Sequence, residues 1–106
     1  MSETIYFPNW QDQLEYRDGA VQSETIVENG AFKSLLARLD AGAKIPVHPE
    51  GLGVYYFLEG SGWIIVDDER FAVGPGSIVI TPAGASRGVE ADTRLAFLAS
   101  RLANHK

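Results

Sequence analysis

The side chains best suited to chemistry in this sequence are two histidines, since the chain contains no cysteine. His48 lies in the segment PVHPE, two residues before Glu50, and His105 lies in a polar tail that we expect to be mobile. An imidazole can hydrogen-bond a ligand or act as an acid or base near neutral pH. Two histidines so placed give no basis for a Ser–His–Asp arrangement, so the chemistry centres on His48.

The composition excludes several classes of partner. The 106 residues suffice for one domain, and the formal net charge is −5. The nine lysines and arginines are spread from Arg17 to Lys106 without a basic stripe. Binding to nucleic acid or to an anionic membrane surface is therefore not expected. The chain also lacks a disulfide framework, a long apolar run and a signal-peptide pattern, so we expect a cytoplasmic location.

The elements that must position His48 are predicted to be short strands. Nine of the 11 glycines fall between Gly42 and Gly88 and divide this stretch into apolar runs. The runs are rich in β-branched or aromatic residues and are bounded by turn residues; they cover 54–58, 63–66, 71–73 and 77–81. Turns are predicted at 67–68, 74–76 and 82–84. Several short strands at this spacing indicate a sandwich or barrel.

Two segments are ambiguous by local pattern. Residues 31–39 and 94–102 are rich in good helix formers, and Leu95, Leu98 and Leu102 fit a helical stripe, but strand alternation fits equally well. Residues 5–7 and 25–27 are consistent with edge strands. Trp10 is then a candidate cover for an open end of the core.

The middle of the chain resembles the cupin family. In GAKIPVHPEGLGVYYFLEGSGW, Gly42 is followed by five residues and His48, which matches the start of the family's first motif, and YYFLEG matches its end. In GSIVITPAGASRG, Gly76, Pro82 and Gly84 keep the spacing of the second motif. The resemblance implies an all-β fold, a jelly-roll β-barrel (double-stranded β-helix), in which 31–39 and 94–102 are strands.

The same resemblance implies a degenerate metal site. The family places two histidines, a glutamate and a third histidine inside the barrel, a cluster suited to a first-row divalent metal. Counted from Gly42, the second histidine is Glu50; counted back from Gly60, His48 is itself the second histidine and Pro46 stands at the first. Either count leaves one imidazole, with Gly53 at the glutamate position and Arg87 at the last histidine. Because arginine has no lone pair to offer, we expect no tightly bound cofactor. Any metal present would be a first-row divalent ion near His48.

Each site residue has a functional and a plainer interpretation. His48 is a pocket imidazole or a packed remnant of the metal site. Arg87 binds a carboxylate or phosphate through its planar fork, or forms an internal ion pair with Glu50. The aromatic residues Tyr55, Phe57 and Trp63 form pocket walls, or they are ordinary core.

We therefore predict a single cupin domain over 1–106, with N-terminal strands or an arm over 1–30, a barrel core over 31–101 and a tail over 102–106. The predicted function is binding of a small organic molecule, with an anion as one option. The alternatives are a metal-free epimerase or isomerase, a weak-metal oxygenase-type enzyme, and a regulatory or structural module with a closed core. Strand 54–58 is apolar on both faces, which predicts a homodimer that covers the outer face.

Overall fold

The computed structural model describes residues 4–102 and is built almost entirely from strands. Its regular elements are the 3-10 turn Trp10–Asp12 and nine strands: β1 Val21–Asn29, β2 Phe32–Leu39, β3 Lys44–Pro49, β4 Gly53–Glu59, β5 Gly62–Val66, β6 Glu69–Val73, β7 Ile78–Thr81, β8 Ser86–Ala91 and β9 Leu95–Leu102. The all-β prediction is confirmed. No helix in the described range is long and apolar enough to cross a membrane.

The strands form two antiparallel sheets. The five-stranded sheet has the order β1-β2-β9-β4-β7, and the four-stranded sheet has the order β3-β8-β5-β6. The core lies between them, because its buried cluster joins Phe57 and Phe97 of the first sheet to Ile64 and Val89 of the second. Along β4 buried and exposed residues alternate strictly from Gly53 to Phe57, as the predicted inward orientation of Gly53 requires.

The two ambiguous segments are central strands rather than helices. β2 and β9 pair along their whole length, from Phe32 opposite Leu102 to Leu39 opposite Leu95. Burial of Leu36, Leu39 and Leu95 between neighbouring strands outweighs the helical preference of leucine and alanine, since tertiary packing routinely overrides local propensity.

One glycine in the β4–β5 connection cannot be replaced. Gly60 has φ +85°, and a Cβ there would overlap the main-chain carbonyl of Arg94. The YYFLEG end of the first motif therefore brings the β4–β5 turn against the start of β9 through a residue that must lack a side chain.

The N-terminal segment covers the outer face of the five-stranded sheet. The Arg38 guanidinium lies 4.7 Å from the ring centres of both Trp10 and Tyr16, which hold it between them. The Tyr16 hydroxyl donates to Glu59 Oε2 over 2.6 Å, and burial together with this carboxylate raises the pKa of Tyr16 well above its ordinary value. The sequence predictions differ here: Trp10 covers a sheet face rather than an open end, and residues 5–7 form no strand.

Candidate functional site: a cavity between the two sheets

A cavity of about 280 Å³ lies between the sheets. Both sheets contribute apolar wall residues, and the edge strands β1 and β3 contribute as well, so the cavity extends to the edges of the sandwich. The apolar walls are Leu35, Ala37, Ile45, Val89, Phe97 and Ala99. His48, Tyr55 and Arg87, all predicted as site residues, also line it.

His48 and Arg87 are direct cross-strand partners on β3 and β8. Residues three apart on a regular strand face opposite sides, but a bulge between Ile45 and His48 shifts the register of β3. Both residues therefore line the cavity. The two groups thus meet as neighbours in one sheet.

Both ring nitrogens of His48 have protein partners. Nδ1 lies 2.9 Å from the carbonyl oxygen of Pro46, and Nε2 lies 3.0 Å from Glu50 Oε2. A carbonyl and a carboxylate only accept, so a ring nitrogen that hydrogen-bonds either of them does so through its N–H. The ring is fixed at the cavity wall by these contacts, although its side chain is 44% exposed.

The Arg87 side chain is buried, with 1% of its surface exposed, and most of its donors bind main-chain carbonyls. Nε donates to Ala85 O over 3.3 Å, and Nη2 lies within 3.2 Å of the carbonyl oxygens of Ala85, Pro82 and Glu50. The fork therefore ties the turn before β8 to the β3–β4 connection. The structure differs from both predicted roles of Arg87. Its contact with Glu50 is to the main-chain carbonyl, so it forms no ion pair there, and its Nε and Nη2 donors bind carbonyls rather than a ligand anion.

The remaining nitrogen of Arg87 fills the space beside Gly53. A Cβ built on Gly53 would lie 2.8 Å from Arg87 Nη1 and 2.9 Å from Thr81 Oγ1, both closer than real Cβ contacts allow. These two polar atoms are buried and have no hydrogen-bond partner among the described residues. A buried cation at the family's histidine position thus occupies the volume that a glutamate at position 53 would need.

The residues present do not fit a divalent metal. The described range contains no cluster of three or more histidine, aspartate or glutamate side chains close enough to hold an ion. Of the family's four ligand positions, one keeps an imidazole, and both of its nitrogens are directed at protein acceptors. The guanidinium beside it repels cations and donates only.

Tyr55 lies next to this guanidinium on the cavity wall. Burial raises the pKa of the Tyr55 hydroxyl above its ordinary value, and the positive charge of Arg87 acts in the opposite direction. The phenol therefore stays a neutral donor and acceptor at the polar end of the cavity.

Three other predicted site residues lie outside the cavity lining. Glu50 sits beyond His48 and contacts Arg101, with its Oε1 3.5 Å from Nε. Phe57 is fully buried core against Phe97, with ring centres 5.3 Å apart. Trp63 is on the outer face of its sheet, 4.8 Å from the Arg70 guanidinium, because its neighbours on β5 take the inward positions. The prediction of Trp63 as a pocket wall is wrong.

Two basic residues of the cavity lining were missed by the sequence analysis. Lys33 on β2 and Arg101 on β9 both line the cavity and are direct cross-strand partners. The only sequence signal was a basic residue near one end of each ambiguous segment. Without the antiparallel pairing of β2 and β9, nothing in the sequence brings these positions together.

Comparison with known proteins identifies the fold. The model of the family described as "Cupin domain" matches residues 35–100, so the chain belongs to the cupin family. The two-sheet architecture and the similar solved structures confirm the predicted jelly-roll cupin fold. No curated protein matches the chain significantly.

Three solved structures are similar over nearly the whole chain. A conserved protein of unknown function from Streptococcus pyogenes has 21% identity and a TM-score of 0.85, over 99% of this chain and 92% of the other. A cupin superfamily protein from Desulfitobacterium hafniense has 19% identity and a TM-score of 0.84, over 97% and 94%. An RmlC-like cupin from Desulfovibrio desulfuricans has 26% identity and a TM-score of 0.82, over 95% and 98%.

Proposed function

We propose that this cupin binds a small organic molecule in the cavity between its sheets, without a tightly bound metal ion. The observation that supports this is the placement of Arg87, which fills the space beside Gly53 while the neighbouring cavity remains. The cavity volume of about 280 Å³ is near the lower end of the range for small-molecule sites. Apolar walls with a few polar groups at one end are typical of such sites.

A binding role fits the geometry better than the enzymatic alternative. A metal-free isomerase would need His48 to accept a proton from the substrate, and the short contact with Glu50 is the feature that favours such chemistry. However, both ring nitrogens are directed at protein acceptors, so neither presents a lone pair to the cavity. The cavity beside His48 also argues against a module with a closed core.

The binding proposal is tested by filling the cavity. Ala99 lies on the inner face between Leu35 and Tyr55, so Ala99→Leu adds volume where a ligand would lie. Ala72→Leu on the exposed edge strand β6 makes the same chemical change away from the cavity. Small-molecule hits found by ligand-observed NMR should persist in Ala72→Leu and disappear in Ala99→Leu. Hits that survive in a folded Ala99→Leu protein would overturn the proposal.

We also propose that a second copy of the chain covers the apolar face near strand β7. The outer face carries cross-strand pairs of exposed side chains, Val54 opposite Ile80 and Tyr56 opposite Ile78, and both isoleucines are 64% exposed. β7 is an edge strand, and an antiparallel edge can pair with its own two-fold copy. The homodimer and the cytoplasmic location both stay predictions.

A further inference from the structure

Three cations lie side by side at one end of the interior. Lys33 on β2 is opposite Arg101 on β9, and Arg101 is in turn opposite Gly53 on β4. The space beside Gly53 is filled by the Arg87 guanidinium from the other sheet. Lys33, Arg101 and Arg87 all line the cavity, so one end of it is basic although the chain has a net charge of −5.

The nearby negative charge does not balance this row. Glu50 is the carboxylate that contacts it, and its two oxygens are divided between His48, at 3.0 Å, and Arg101, at 3.5 Å. Within residues 4–102, no carboxylate lies within 4.0 Å of the Lys33 ammonium. Like charges directly opposite each other on neighbouring strands are destabilising. The pairing of Lys33 with Arg101 therefore has a cost that a bound anion would remove.

The anion would meet Lys33 and Arg101 rather than Arg87. The Nε and Nη2 donors of Arg87 are engaged by main-chain carbonyls, and its Nη1 is buried against Gly53. The Arg101 side chain is 26% exposed, and within residues 4–102 its one ion pair is with Glu50, at the long distance of 3.5 Å. Its remaining donors can form charge-assisted hydrogen bonds with a carboxylate, and so can the Lys33 ammonium.

The walls next to the cations are apolar. The next inward-facing row across the sheet is Leu35, Ala99 and Tyr55, and the row after it is Ala37, Phe97 and Phe57. A ligand whose charged group lies at the basic end would place the rest of its body along these rows. The ligand should therefore combine one acidic group with a compact apolar body.

We infer that the cavity ligand is an organic monocarboxylate whose carboxylate lies between Lys33 and Arg101. This inference rests on the proposed function and adds the ligand class to it. A singly charged group is favoured over a phosphate dianion, because the donors of Arg87 are engaged by main-chain carbonyls and the Glu50 carboxylate beside Arg101 would repel a second negative charge.

The test compares acids with their neutral amides. Phenylacetate and cyclohexanecarboxylate are titrated against phenylacetamide and cyclohexanecarboxamide, with phenyl phosphate as the dianion, by following chemical shifts of the labelled protein. The parent should bind each acid at least roughly tenfold more tightly than its amide, which is the scale of one charge-assisted contact. Lys33→Gln and Arg101→Gln should lose this preference, and Arg17→Gln, which makes the same charge change at an exposed remote position, should keep it.

The outcomes separate this inference from the function on which it rests. Amides that bind as tightly as acids, or a dianion that binds more tightly than either, would overturn the monocarboxylate and leave a binding cavity standing. Shifts that do not map to the cavity, or that persist in Ala99→Leu, would overturn both. A preference for acids that survives in Lys33→Gln and in Arg101→Gln would place the anion elsewhere and contradict the inference.

Discussion

Arg87 and Gly53 share one volume: a Cβ on Gly53 would lie 2.8 Å from Arg87 Nη1. In the family's pattern these two positions hold a histidine and a glutamate that face a metal. Here the histidine position is occupied by the larger side chain of Arg87, and the glutamate position is Gly53, which has no side chain. The two differences are therefore sterically complementary. The Arg87 guanidinium also donates to the main-chain carbonyls of Glu50, Pro82 and Ala85, and so holds the surrounding turns together.

Gly53→Ala is expected to destabilise the protein by about 1–3 kcal/mol, the range for overpacking a well-packed core. The methyl group would press on Arg87 and Thr81, and the Arg87 end cannot swing away without breaking its hydrogen bonds. Urea unfolding measures the change. Gly30→Ala is the matched control, because a Cβ there meets nothing within 4 Å.

The same contact can be isolated by a double-mutant cycle. In an Arg87→Met background the guanidinium is absent, so Gly53→Ala should lower the free energy of unfolding by less than it does in the parent. The coupling should reach at least about 0.5 kcal/mol, as expected for residues in contact. Equal costs in both backgrounds would show that Arg87 does not occupy this volume.

Lys33→Gln is expected to leave the free protein equally stable or to stabilise it, by up to about 1 kcal/mol, because it removes a like charge opposite Arg101. Lys44→Gln provides the contrast. Because Lys44 is opposite Glu90, an opposite charge, this variant should not be more stable than the parent. Both free energies of unfolding come from urea titrations at low salt. A clear loss of stability in Lys33→Gln would contradict the claim that this cation is in excess.

The contacts of Asp40, next to the start of β1, predict that the stability of the protein depends on pH. The main-chain N–H of Gly19 donates to its Oδ2 over 2.7 Å, and Arg94 Nε donates to its Oδ1 over 2.9 Å. These donors lower the pKa of Asp40 below its ordinary value of 3.8. A carboxyl whose pKa is lowered by folding stabilises the folded state when the pH is above the carboxyl's ordinary pKa. This stabilisation is lost as the pH falls through the pKa of the carboxyl in the folded state.

The Tm of the parent should therefore exceed that of Asp40→Ala near neutral pH, and the gap should narrow as pH falls below 3.8. Thermal unfolding followed by circular dichroism across the acid range measures this gap. A gap that stays constant down to the most acidic conditions would mean that the Asp40 charge contributes nothing.

Ile80→Lys should separate the proposed dimer. The substitution places a charge on the exposed face of edge strand β7 without touching the core. Light scattering after size exclusion should give a dimer for the parent and a monomer for the variant. Val47→Lys, a similar change at an exposed position on β3, should remain dimeric. A monomeric parent would remove the proposal.

The sequence was most informative where the strand pattern and the motif spacing agreed. The alternation from Gly53 to Phe57 followed from period-two geometry, and the strand assignment of β2 and β9 needed the family resemblance because leucine and alanine suit a helix as well. The assignment of both His48 and Arg87 to the pocket also followed from motif spacing. In each case the information is local or is carried by a fixed motif.

The parts of the site that the sequence did not predict depend on pairing between distant strands. The carbonyls that engage Arg87 come from two separate turns, and Lys33 meets Arg101 through antiparallel register alone. Trp63 was assigned to the pocket by its residue type, whereas its position on β5, between the inward-facing Gly62 and Ile64, places it outside. Residue type predicts which groups can line a cavity, and register decides which of them do.

The most direct test of the account is the metal content of the protein, because the central claim is that a guanidinium has replaced the family's metal. Protein is purified without chelators from medium supplemented with manganese, iron, nickel and zinc, and is analysed by plasma mass spectrometry. If the guanidinium has replaced the metal, the protein should contain far less than one first-row metal ion per chain. One ion per chain that is retained through dialysis, and lost on substitution of His48 by alanine, would contradict it.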